Sequence, residues 1–77
     1  MEVPMYDEIA RQIRLAEANG RKVAMFHYQV LKNARMLDKE DPIEFCHAVG
    51  MNESYAIEFR KMINLARLME EKGEHIR

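Results

Sequence analysis

Seventy-seven residues with only three glycines and two prolines make one helical domain, 1–77, near the lower size limit for folding alone. Apolar residues at 48% and charged residues at 32% exclude a disordered chain, while one cysteine and three scattered histidines exclude an internal disulfide and a closed zinc site. The net charge of −1 gives bulk electrostatics no bias toward nucleic acid, so any such bias must come from how the charges are distributed.

Four helices are predicted, an all-α domain. The first spans residues 4–19, with Pro4 suited to the first helical position and Gly20 to the stop. Met5, Ile9, Ile13 and Ala16 form its buried stripe, Tyr6 lies beside them, and Asp7 and Glu8 sit near the positive N-terminal end. The second spans 21–37, where Val23, Phe26, Val30, Ala34 and Leu37 follow i, i+3/i+4 spacing and His27 lies at the stripe's edge. Asp41 as N-cap, Pro42 at N1 and Glu44 at N3 open the third helix, 42–49, and Gly50 closes it. Asn52 caps the fourth, 53–72, whose Ala56, Phe59, Ile63 and Ala66 share one face. Leu65, Leu68 and Met69 centre on a different face with no evident partner in the chain, and are assigned to a dimer interface.

An apolar residue and a small one (Phe45, Cys46), a glycine four residues on (Gly50), then Met51, the capping Asn52, and apolar Ala56 and Phe59 form one connected pattern. Over residues 43–62 it resembles the small helix-turn-helix DNA-binding regulators of bacteria and phages. That resemblance implies that the start of the later helix enters a DNA major groove. It makes Asn52, Glu53, Ser54, Ile57, Lys61 and Asn64 the base-reading residues, with Glu58 and Arg60 alongside. A glutamate can accept from cytosine N4, but Glu53 and Glu58 against Arg60 and Lys61 leave this surface near neutral.

The second predicted helix compensates. Residues 21–37 contain no acid, and Arg21, Tyr28, Lys32, Arg35 and Lys39 fall within roughly a 60° arc at 100° per residue. A positive ridge of this kind suits a phosphate backbone, so Arg21, Lys32, Arg35 and Lys39, with Arg60, are the candidate phosphate contacts. Acidic residues gather instead at 38–44 and 70–74.

Enzyme chemistry finds no footing. Cys46 holds the small packing position of the motif, and His47 lies about 100° from it on the helix. Glu44 and His47 form the single carboxylate–histidine pair at i, i+3, His27 reads as a core-edge residue, and His75 lies in the tail. Met25 and Met36 fall off the apolar stripe and are expected at the surface. The sequence therefore predicts a sequence-specific double-stranded-DNA-binding protein, a transcriptional regulator acting as a homodimer, without cofactor or metal. With no leader pattern and no long apolar run, the expected location is the cytoplasm, away from membranes. The alternative is a non-enzymatic helical interaction module that binds a protein partner through its methionine and leucine surface without touching DNA.

Overall fold

In the computed structural model, which describes residues 4–73, the chain order is α1 (Pro4–Glu17), α2 (Lys22–Lys32), α3 (Ala34–Leu37), α4 (Pro42–Ala48), a 3-10 turn (Glu53–Tyr55) and α5 (Ala56–Glu71). Glu74 and His75 lie outside the described residues. No described helix is long and apolar enough to cross a membrane.

α1 ends where the sequence places its stop. Gly20 takes φ +70, Arg21 N–H donates to the Ala16 carbonyl at 2.8 Å and Gly20 N–H to that of Glu17 at 3.0 Å. This is the paired hydrogen-bond closure that a left-handed glycine permits after a helix. The tight link makes α1 and α2 antiparallel neighbours: Lys22 reaches back to Glu17 at 3.5 Å.

The continuous helix predicted over 21–37 is broken at Asn33, with φ −105 and ψ 17. The Asn33 amide donates to the Gln29 carbonyl at 2.9 Å and to the Gln29 side-chain oxygen at 3.3 Å. Asparagine competes for backbone acceptors in this way and disfavours a helix interior. The break re-aims everything after it, so α3 packs Leu37 inward while leaving Met36 65% exposed. Two surface expectations within α2, before the break, also change. Val23, placed on the buried stripe, is 39% exposed, whereas Met25, expected at the surface, packs against the core.

The core draws Ile9 and Ile13 from α1, Phe26 and Val30 from α2, Leu37 from α3, Phe45, Cys46 and Val49 from α4, and Phe59 and Ile63 from α5. Phe45 is its centre: the Phe59 ring lies 4.9 Å from it and the Tyr6 ring 5.4 Å, edge-on. Complete burial of each phenylalanine contributes about 1.5–3 kcal/mol. α2 and α5 run in the same direction: Phe26 meets Tyr55 and His27 meets Glu58, and further along both paths Arg35 meets Glu70. Sequence spacing carries no signal for Gln29, the one polar side chain buried among the described residues, which donates to the Met25 sulfur at 3.4 Å and accepts from Asn33.

Candidate nucleic-acid interface

α4 begins as its sequence dictates, with the Asp41 carboxylate accepting from the N–H groups of Ile43 and Glu44 at 2.9 and 3.1 Å and Pro42 at the first position. It ends on Gly50 at φ +78. Met51 N–H donates to the Cys46 carbonyl at 2.8 Å and Gly50 N–H to that of His47 at 3.3 Å. The same closure normally brings an apolar contact between the residues at its two ends, and here both Cys46 and Met51 are buried. Burial also pushes the Cys46 thiol up from its ordinary range, which fits a packing role rather than a reactive one.

The chain then turns into extended backbone at Asn52, whose side chain accepts from Ser54 N–H at 2.8 Å. The fourth helix does not start as regular α-helix: its first turn, Glu53–Tyr55, is 3-10, and α5 proper starts at Ala56. The inner side of α5 carries Phe59 and Ile63, both buried. Its outer side and the segment that precedes it carry the residues singled out for base contact. Asn52, Glu53, Ser54, Ile57, Lys61 and Asn64 are all exposed, and Ile57 leaves 63% of its surface to solvent.

Glu58 departs from the expected arrangement. Rather than standing on the outer face, it is half-buried and turned toward α2, with Oε1 3.0 Å from His27 Nε2. Its other oxygen is 3.5 Å from the Lys61 ammonium. Glu53 is likewise engaged, 3.3 Å from His47 Nε2. Both acids that count against a DNA-facing surface are thus partnered by histidines from other elements. No spacing rule reveals such pairs, because the partners of one pair lie on different helices.

The basic ridge is not one surface, because the break at Asn33 divides it. Arg21 and Tyr28 line a groove between α1 and α2 with Gln12, Leu15 and Asn19. Lys32 stands 5.8 Å over the Tyr28 ring, and its charge acts on Glu8 of α1. The Arg11 and Gln12 hydrogen bonds hold that Glu8 carboxyl down at about 2. Arg35, beyond the break, faces α5 and pairs with Glu70 at 3.1 Å. Arg60 lines a separate groove with Pro42, Asn64 and Arg67. Arg67, which sequence reasoning passed over, is bonded to Asp38 and ties the α3–α4 connection to α5. Among the described residues Arg21, Lys39 and Arg60 have no acidic partner. Of the residues assigned to a subunit contact, Leu65 and Leu68 are 39% and 48% exposed, and Met69 is half-buried.

No curated protein and no solved structure matches the chain. A family model described as an HTH-like domain matches residues 1–72, taking in every helix from α1 to α5. The chain belongs to this family of HTH-like domains, and its described residues form an all-helical fold.

Proposed function

We propose that the chain is a sequence-specific regulator that binds double-stranded DNA in the cytoplasm as a homodimer. Asn52, Glu53, Ser54, Ile57, Lys61 and Asn64 meet base edges in the major groove, and Arg21, Lys32, Lys39 and Arg60 meet phosphates. One observation carries this reading. Directly after the glycine turn, α5 presents a large apolar side chain, Ile57, and a lysine, Lys61, to solvent on the side opposite its core-facing Phe59 and Ile63. An isoleucine left 63% exposed beside a flexible cation suits contact with a thymine methyl and a base edge. Withdrawal of Glu58 toward His27 lowers the electrostatic penalty of that approach.

The test is titration of a mixed-sequence duplex at about 50 and 200 mM salt. Four phosphate contacts per protomer, eight per homodimer, predict roughly a ten-thousandfold loss of affinity between the two conditions. Ile57→Glu should leave helix content and unfolding midpoint unchanged, because the side chain is exposed, and weaken association at least tenfold by bringing a carboxylate to the groove. The interaction-module reading draws its support from Ile57, Leu65 and Leu68, all exposed on α5. Absence of any duplex association at low salt would favour that alternative.

A further inference from the structure

The candidate interface contains two glutamates, and each meets a histidine from a different element. Glu58 is 3.0 Å from His27 of α2, with side-chain exposures of 33% and 31%. Glu53 is 3.3 Å from His47 of α4, with exposures of 63% and 60%.

The charged surroundings of the two rings differ. On the α5 side, His27 faces Glu58 and, behind it, Lys61. The acids that α1 brings to α2 lie against its other side, Glu17 on Lys22 and Glu8 near Lys32. α3 contributes Arg35, which is turned to Glu70. Around His47, the 3-10 turn supplies Glu53, and α4 itself carries Glu44, whose charge acts on Tyr6 of α1. α5 presents Phe59 to α4, and its Arg60 and Arg67 stand at the Pro42 end of that helix, away from His47.

We propose that DNA association by this chain is coupled to proton uptake at His27 and His47, an inference that rests on the DNA-binding reading above. With both imidazoles neutral, Glu53, Glu58 and Lys61 leave the start of the reading segment net negative. With both protonated, the same cluster is net positive. Phosphates brought to the surface favour the charged form, so protons and DNA reinforce each other by linkage. The His27 pair, only a third exposed, carries the larger share, since solvent screens the His47 pair more.

Fluorescence anisotropy with a mixed-sequence duplex at constant low salt, from pH 5.5 to 8, tests this directly. The unmodified protein should bind about tenfold more tightly at pH 5.5 than at pH 8. His27→Gln with His47→Gln should flatten that profile, His75 remaining as an internal control. Glu58→Gln, which removes the carboxylate and keeps the ring, should tighten binding at pH 8 and reduce the pH dependence, with circular dichroism confirming the fold at each pH. A double-histidine variant that keeps the original pH profile overturns the coupling while leaving DNA binding intact. Absence of association at pH 5.5 and low salt overturns both.

Discussion

Replacing Gly50 with alanine isolates the turn on which the interface depends. Gly50 holds φ +78, and a Cβ built there meets nothing within 4 Å, so no neighbour has to move. The cost is the backbone alone, about 1–2 kcal/mol for an L residue in the left-handed region. In a domain whose single core supplies roughly 3–5 kcal/mol, that loss is large, and it should lower the thermal midpoint by roughly 5–15 °C. Gly20 gives the internal comparison, since its φ is +70 and its surroundings are equally open. Gly20→Ala should therefore cost the same. Gly50→Asn should cost less, because asparagine tolerates this conformation. Urea unfolding followed by circular dichroism measures all three. The variants should separate in DNA affinity: relaxation of φ at residue 50 re-aims the 3-10 turn and Ile57, while relaxation at residue 20 shifts only one proposed phosphate contact, Arg21, in the α1–α2 link. A Gly50→Ala variant as stable as the parent, or an asparagine variant weaker than the alanine one, would refute this account of the turn.

Tyr6 and Arg35 supply two further tests. Burial first, then the hydrogen bond to Glu40 and the charges of Glu40 and Glu44, hold the Tyr6 hydroxyl well above the ordinary phenol range. A folded-state value raised above the unfolded one means that the stabilisation is complete below about pH 10 and fades as pH rises beyond it. Urea midpoints should therefore fall more steeply above pH 10 in the parent than in Tyr6→Phe, and parallel profiles would contradict the assignment. Arg35 is 77% exposed at its side chain and paired with Glu70, a surface pair worth at most about 1 kcal/mol. Arg35→Ala should leave the salt dependence of DNA binding nearly unchanged, whereas Arg21→Ala, which removes from each protomer a cation with no acidic partner among the described residues, should reduce the homodimer's slope by about 2. Equal slopes in the two variants would return Arg35 to the phosphate set.

Local signals carried most of the fold into the sequence. Asp41–Pro42, Gly20, Gly50 and Asn52 each act on backbone groups within a few residues of themselves, and each ends or starts an element where expected. Apolar periodicity placed Ile9, Ile13, Phe26, Val30 and Phe59 in the core for the same reason. What escaped depends on contacts between distant residues or on a weak local preference. Asn33 breaks a helix that the apolar pattern runs straight through, because the pattern records which side faces the core and not the competition for the Gln29 carbonyl. Once that break exists, a wheel drawn across 21–39 is no longer one surface, and Arg35 leaves the company of Arg21 and Lys32. The partners of Glu58, Glu53 and Arg67 could be found only by folding the chain, since His27, His47 and Asp38 belong to other elements.

The two tasks proposed for α5 fall on the same solvent side of one helix, and length separates them. Sixteen residues extend about 24 Å at 1.5 Å per residue. Leu65 stands about 12 Å and Leu68 about 16 Å further along the axis than Ile57. A major groove about 12 Å wide accepts roughly two turns of a helix entering obliquely at its N-terminus, which covers the segment from Asn52 to Lys61 and leaves Asn64 at the groove's rim. Beyond that depth the helix has passed the groove wall, and Leu65 and Leu68 stand clear of the duplex, where an apolar surface serves only another protein surface. The change in chemistry from Asn52, Glu53 and Ser54 before α5 and Lys61 within it to a pair of exposed leucines falls at the depth that the proposed groove insertion sets. A module that used the whole face for one protein partner would have no reason to divide its composition at that depth.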